Sequence, residues 1–376
     1  MTASVHETRA ERRSGASVAE RAADLAATRA GVPVHGRAAR RRTRTVRIAG
    51  ITACVLALAA AAAASLVFGV RDVPLHEVWQ ALTGPQNVAH DGMNAAAALS
   101  RVPTTVAGIL VGAALGIGGA LMQGVTRNPL ADPGLLGINS GAALFVVLGM
   151  TFLGVGSAIG TVWFAFAGAA AAALVVYAVA SAGRKGATPL GLTLAGAAVT
   201  AAASSLTLGV LLTHVDSLDS YRFWQIGSIS AASWPTIVLL APFIVAGVVL
   251  ALLQGPALNA LALGDDLARG LGHRVGLSRV LAAIAVVLLC GAATAMCGPI
   301  AFVGLAVPHA ARVVFGPDYR WVLPASALLG GVLLLVADVI GRLVARPSTI
   351  EVGVVVAVIG APVLIALVRR TKAVAL

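Results

Sequence analysis

Arg101-Val-Pro-Thr-Thr-Val-Ala-Gly108-Ile-Leu-Val-Gly112-Ala-Ala-Leu-Gly116-Ile-Gly-Gly-Ala120-Leu-Met-Gln123-Gly-Val-Thr-Arg127-Asn128-Pro129-Leu-Ala-Asp132-Pro133-Gly134-Leu-Leu-Gly137 is the stretch on which the reading of this chain turns. An apolar run rich in small residues ends in a short polar junction, where Arg127, Asn128 and Asp132 stand among two prolines, and a second apolar run begins at Gly134. Polar groups so close to lipid are costly unless they face protein, water or a partner. Gly108, Gly112, Gly116 and Ala120 recur every four residues, which puts them on one helix face and lets a neighbouring backbone approach closely.

The rest of the chain has the same character. Of its 376 residues, 59% are hydrophobic and only 11% charged, with a mean hydropathy of +0.92; soluble domains carry about 25% charged residues. This composition implies a polytopic membrane protein, and the 42 glycines suit helices that pack closely in lipid. The formal net charge of +12 is concentrated in the first 47 residues and in short loops, so it reads as membrane orientation, and no nucleic-acid partner is expected. Cys54, Cys290 and Cys297 lie in or at the ends of apolar runs with no ligand spacing, and the seven histidines form no H-E-x-x-H. No metal site and no cofactor are therefore expected in this chain. No P-loop is present either, so any ATP used must be bound by another chain.

Residues 1–47 are rich in Ala, Arg, Ser and Thr, with Arg37, Arg40, Arg41, Arg42, Arg44 and Arg47 crowding the end. They lack the apolar content to fold alone and read as a basic, disordered cytoplasmic tail that attracts anionic lipid. The apolar run that follows is too long for the h-region of a signal peptide. With a ruler of about 20 residues per crossing, the transmembrane domain, 48–376, divides into ten spans: 48–70, 103–123, 134–153, 158–182, 190–212, 237–253, 277–297, 302–315, 322–344 and 352–368. The eighth is short and flanked or interrupted by Pro299 and Pro308, which predicts a broken or re-entrant helix. Breaks at Asn128-Pro129 after the second span and Gly298-Pro299 after the seventh fit a five-plus-five repeat.

Charge supports the even count. With the tail inside, the inward loops carry Arg127, Arg184, Lys185, Arg269, Arg274, Arg279 and Arg320, and the C-terminus adds Arg369, Arg370 and Lys372. The outward loops carry Arg71, Arg222 and Arg346, diluted by Asp72, Glu77, Asp91, Asp216, Asp219 and Glu351. Both termini are thus expected on the cytoplasmic side. Trp79, Trp224 and Trp234, in the outward loops 71–100 and 213–235, read as interfacial anchors.

The inward loop 254–276 contains Leu258, Leu261 and Leu263, then Gly264-Asp265-Asp266-Leu-Ala-Arg269-Gly-Leu271-Gly272. Its spacing predicts two short amphipathic helices at about 256–274, hinged at Gly264, with Asp265 or Asp266 capping the second. Such a pair is either an interfacial connector or a knob for a partner's groove. Farther on come Gly298-Pro-Ile-Ala-Phe-Val-Gly304-Leu-Ala-Val-Pro308-His309-Ala-Ala-Arg312, then Ala337-Asp338-Val-Ile-Gly-Arg342 and Val352-Gly353 through Gly360-Ala-Pro362. Asp338 and Arg342, at i and i+4, can neutralise each other on one helix face. His309 and Arg312 have no accompanying nucleophile or carboxylate at motif spacing.

These blocks, which together run from residue 101 to 370, resemble the FecCD/BtuC-like permease subunits of ABC importers for iron–siderophore, haem or cobalamin. The resemblance rests on an R-x-P start, a G-x-x-x-Q turn, the N-P-L-A-D-P-G-x-x-G junction, the L-A-L-G-D-x-x-A-x-x-L-G hinge and the G-P-I-A-F-V-G-L-A-V-P-H-x-x-R block. It implies an all-α, BtuC-like fold of about ten transmembrane helices that pairs with a second permease subunit, identical or paralogous. It further implies ATP-binding cassette ATPase subunits inside and a substrate-binding protein outside. Leu263, Gly264, Asp265, Asp266, Arg269, Leu271 and Gly272 would contact the ATPase, and Arg101 and Arg342 would receive the binding protein. Gln123, Asn128, Pro129, Asp132, Pro133, Gly134, Pro308, His309 and Arg312 would form the motif junctions. The chain departs from the pattern at Thr104, where the family has a second arginine, and at Val363, where phenylalanine is usual.

Two other classes compete. A secondary transporter would use Arg127, Asp132, Asp338 and Arg342 as an ion relay, yet no acidic residue stands unpaired in the middle of a span. A membrane hydrolase would need a catalytic motif, and the sequence has none.

Overall fold

The computed structural model describes residues 37–84, 88–182, 188–214 and 216–374. Two compact units are distinguished, Met1–Gly50 and Ile51–Leu376. In the first, the expected tail lies mostly outside the described residues, but its last part is helical: α1 (Arg37–Val67) starts at Arg37. Alanine and arginine are strong helix formers, so the basic run extends a helix already nucleated by the apolar span.

The regular structure among the second unit's described residues is all helical. After α1 come α2 (Leu75–Thr83), α3 (Val88–Thr126), a 3₁₀ turn (Pro133–Leu136), α4 (Ile138–Leu153), α5 (Ala158–Ser181), α6 (Pro189–Thr213) and α7 (Asp216–Ile226). They are followed by α8 (Trp234–Leu253), α9 (Gly255–Ala262), α10 (Asp265–Gly270), α11 (Val275–Val286), a π turn (Val287–Gly291) and α12 (Ala292–Cys297). The chain closes with α13 (Val303–Phe315), α14 (Tyr319–Val344) and α15 (Val352–Val374). Among the described residues, seven helices are long and apolar enough to cross a membrane, and three shorter apolar ones, Ile138–Leu153, Val303–Phe315 and Val352–Pro362, occupy the other expected spans.

Several boundaries differ from the sequence reading for identifiable reasons. The second span does not start at Pro103: α3 continues back past it, with a non-helical Gly92 near its beginning. An interior proline removes one i→i−4 bond, and packing holds the helix together regardless. The loops 71–100 and 213–235, expected to face outward, contain helices α2 and α7. Trp79 on α2 is exposed, whereas Trp224 on α7 is half-buried, packs against the core and lies 6.2 Å from the Tyr221 ring. Trp224 is therefore a packing residue and not a lipid anchor.

The eighth span is a short but unbroken helix, and the break expected within it falls before it instead. Gly298 and Phe302 both adopt positive φ, at 73° and 67°, and Pro308 sits inside a continuous α13. Thirteen residues at about 1.5 Å each rise only about 20 Å, short of a hydrocarbon core of about 30 Å.

The centre of the bundle is α3, whose contact with α14 is the most extensive between any two helices. The glycine stripe makes this approach possible. A Cβ on Gly112 would overlap the Gly330 carbonyl, and one on Gly116 the Ser326 carbonyl. On an adjoining face, Gly119 lies against the Gly304 backbone of α13. No side chain at those carbonyls can swing away, because the obstruction is backbone.

Replacing Gly112 by valine should therefore destabilise the bundle by about 1–3 kcal/mol, read as a lower thermal midpoint of the detergent-purified chain. Gly209→Ala on α6, where a Cβ meets nothing within 4 Å, should leave the midpoint unchanged. Equal midpoints for both variants would show that the stripe is not a packing constraint.

Candidate functional site: a polar junction, an arginine-capped helix end and a hydroxyl-lined cavity

At the C-terminal end of α3 the chain must turn and enter α4 within about a dozen residues. Arg127 takes a left-handed φ of 52°. Asn128 then closes an Asx turn, its Oδ1 accepting from the Leu130 N–H at 2.9 Å, which is the local bond that favours asparagine in turns. Asp132 Oδ1 accepts from the Gly134 N–H at 2.8 Å and caps the 3₁₀ turn that begins at Pro133. Burial pushes the Asp132 carboxyl above the usual carboxylate range, and the Gly134 N–H opposes that shift. Asn128, Pro129, Asp132, Pro133 and Gly134 thus build one turn.

The same junction is tied to α10 and α11. Asp265 is an ion partner of Arg127 and accepts from Arg279 at 2.9 Å, while Asp266 pairs with Arg269 at 2.8 Å. Neither aspartate caps α10: its N-cap is Gly264, at φ 109°, with no side-chain cap bond. The carboxylate of Asp265 is instead held by guanidinium groups from α11 and the end of α3. Gly264 provides the expected hinge. Around it, Leu258, Leu261 and Ala268 are buried, whereas Leu263, Leu267 and Leu271 are 60%, 61% and 63% exposed. Leu263, Asp266, Arg269, Leu271 and Gly272 accordingly lie on the open side of the hinge.

Gln123 and Pro308, distant in sequence, meet for a simple reason. A proline at 308 has no N–H to give the carbonyl of Gly304 four residues earlier. Gln123 Nε2 supplies the missing donor, at 3.2 Å from Gly304 O and 3.4 Å from Leu305 O. Its Oε1 accepts from Arg312, whose guanidinium also interacts electrostatically with Tyr319. Asn259 on α9 completes the set, with Oδ1 accepting from the Tyr319 N–H at 2.9 Å and Nδ2 donating to Asp318 at 2.7 Å. His309, which follows Pro308, is half-buried.

At the opposite end of the bundle, Arg101 and Arg342 close the C-terminus of α1. The last carbonyls of a helix have no intrahelical donors. Arg342 donates to Ser65 O at 2.9 Å and Phe68 O at 3.3 Å, and Arg101 to Leu66 O at 2.9 Å and Val67 O at 3.0 Å. Arg101 also reaches Arg71 O, passing so close to Gly69 that a Cβ there would overlap its guanidinium. Arg342 is paired with Asp338, and the two are 7% and 3% exposed. The outward presentation expected for Arg342 is thus replaced by a buried capping role. Thr104 is 8% exposed, so this departure from the family pattern lies inside the bundle. At the surface nearby, a hydrogen bond from Arg346 holds the Asp72 carboxyl below its usual range.

A cavity of about 520 Å³ opens between α4, α6 and α7. Asn139, Ser140, Thr200, Ser204, Thr207 and Tyr221 give it a hydroxyl and amide wall, with Arg222 and Gln225 also lining it. Thr294 Oγ1 donates to Asn139 Oδ1 at 3.0 Å and holds that side chain. The sequence reading did not single out this wall. The signal was the unusual density of Thr and Ser on one face of α6.

The profile described as the FecCD transport family matches residues 56–370. The ferric enterobactin transport system permease protein FepD of Escherichia coli (strain K12) is 46% identical over 329 residues, 87% of this chain and 96% of the relative. The Fe(3+)-citrate import system permease protein YfmD of Bacillus subtilis (strain 168) is 44% identical over 272 residues, 72% of this chain and 80% of the relative. Among solved structures, a metal-chelate type ABC transporter in an inward-facing conformation superimposes with a TM-score of 0.73 at 24% identity, covering 86% of this chain and 99% of the other. That similarity establishes the fold.

Truncating one member of a buried ion pair leaves the other charge uncompensated, at a cost of about 3–5 kcal/mol. Arg342→Gln should accordingly lower the thermal midpoint sharply, and adding Asp338→Asn should recover part of the loss. A double-mutant cycle in detergent checks this: coupling well above about 0.5 kcal/mol is expected, and simple additivity would dismiss the pair.

Proposed function

Because this chain belongs to the FecCD transport family, we propose that it is the transmembrane subunit of a binding-protein-dependent ABC importer that carries ferric siderophore complexes across the cytoplasmic membrane. Two such subunits, identical or paralogous, enclose the path, and two ATPase subunits bind their inner ends. The chain itself hydrolyses nothing: it provides the path and the surface on which the ATPase acts.

The observation that carries this reading is the row of exposed leucines 263, 267 and 271 beside the Asp265 clamp. Open apolar side chains on a short hinged helix suit a hydrophobic groove in a partner. The clamp makes the helix stiff toward the bundle, so force on the leucines moves α3 and α11 together. A connector lying idle at the interface has no need of that stiffness. Arg269, Arg274 and Arg279 follow Gly264 closely in sequence and Arg127 pairs with Asp265, a basic cluster that supports a cytoplasmic location for the hinge and for both termini.

At the other end, Arg71 and Arg222 are exposed and suit acidic residues on a binding protein. Arg101 and Arg342 contribute to docking by fixing the segment from Ser65 to Arg71 on which Arg71 stands. The similarity to the ferric enterobactin permease supports a siderophore cargo over haem or cobalamin, the alternatives the family permits.

In proteoliposomes holding the complete transporter, uptake of a ferric siderophore should stop when the ATPase is disabled and persist when proton and sodium gradients are collapsed. The opposite result would point to ion coupling. Leu267→Glu should reduce co-purified ATPase at least fivefold while the permease still inserts, and undiminished recovery would remove the hinge from the interface. Single cysteines at His76 and Leu267 test orientation: the first should label from outside intact cells and the second only after permeabilisation. The native cysteines, all buried, give little background, and reversed labelling would invert the topology.

A further inference from the structure

We propose that Asn259, Tyr319, Arg312 and Gln123 form a polar relay that transmits movement of α9 to the first turn of α13. The inference rests on the reading of α9 and α10 as the ATPase-facing hinge and extends it to the side chains that carry the displacement inward. In order, Asn259 on α9 holds the first residues of α14 through the Tyr319 N–H and Asp318. Tyr319 and Arg312 interact electrostatically, Arg312 donates to Gln123, and Gln123 ends on the carbonyls of Gly304 and Leu305.

Three features argue for transmission beyond simple adhesion. The relay terminates on the carbonyl that Pro308 leaves without a helical donor, the softest point in α13. α13 is a short rod between backbone breaks: Gly298 and Phe302 precede it and Gly316, at φ 79°, follows it. A rod jointed at both ends can rotate as a unit when pulled at one turn, in the manner of hinged elements elsewhere. Finally, Gly124 on α3 leaves room for both Leu258 of α9 and the Tyr319 ring; a Cβ there would lie 2.9 Å and 3.1 Å from them. The ring is thus wedged between the hinge and the central helix. In apolar surroundings such directional bonds are strong and hold their register. These four are positioning residues; none is proposed to touch the cargo.

A coupled pathway requires coupling data. The test uses the complete transporter in proteoliposomes, with uptake of a ferric siderophore and ATP hydrolysis measured together. Tyr319→Phe and Gln123→Leu should each lower uptake per ATP at least fivefold, while ATPase recovery and basal hydrolysis stay within twofold. Links in series predict that the double variant is no worse than the weaker single. Adding Pro308→Ala to Gln123→Leu restores an N–H for Gly304 O. It should recover the thermal midpoint without recovering uptake per ATP, whereas a purely structural Gln123 would have both restored. Unchanged coupling in the two single variants, additive losses, or rescue of coupling by Pro308→Ala would overturn the relay. Failure of the underlying hinge reading looks different: Leu267→Glu would then retain ATPase and coupling whatever the relay variants do.

Discussion

A main-chain carbonyl within a bilayer has no water to turn to, and much of this structure follows from finding donors for the carbonyls that helices leave open. At one end of the bundle Arg101 and Arg342 serve the last turn of α1. At the other, Gln123 serves the carbonyl opened by Pro308. In each case the donor comes from a distant part of the chain, so satisfying a local defect also fixes the tertiary arrangement. The residues that look most like functional charges in the sequence are therefore also fasteners.

The two uses of arginine at the two ends have different physical consequences. Around the hinge, Arg127 and Arg279 hold a carboxylate on a surface helix, Arg127 being partly exposed. The pair with Arg127 is partly solvated and adds little by itself, while the buried Arg279 keeps the carboxylate tied to α11. Around the end of α1, Arg342 is buried with Asp338 and bound to carbonyls. Separating it would strand a charge as well as polar main chain. One arginine cluster is thus partly open to solvent and the other sealed inside the bundle.

The spans were legible because hydropathy and length report directly on lipid, and the glycine stripe because a four-residue period has one geometric meaning. The hinge was legible from Gly264 and the leucine spacing. What escaped were relations between distant positions. Nothing near Asp265 in sequence announces that its carboxylate belongs to Arg127 and Arg279 rather than to a cap, and nothing near Arg342 points to Ser65. Gln123 and Pro308 were each identified, but as separate motif residues; that one repairs the defect of the other emerges only when α3 and α13 are side by side. The helices α2 and α7 were hidden for another reason: short amphipathic segments with mixed polarity look like loops to any measure tuned to crossing a membrane.

The capping of α1 also bears on how the molecule is made. Residue 65 leaves the ribosome 277 positions before Arg342, which at about 5–20 residues per second is a wait of roughly 15–55 s. Throughout that interval the first helix has an end whose carbonyls lack part of their final complement of donors. Its early partner is Arg101, only 35 residues later than Leu66, and the second clamp closes when the ninth span arrives. The N-terminal half is thus held provisionally during synthesis, and the bundle is locked only by a residue near its end.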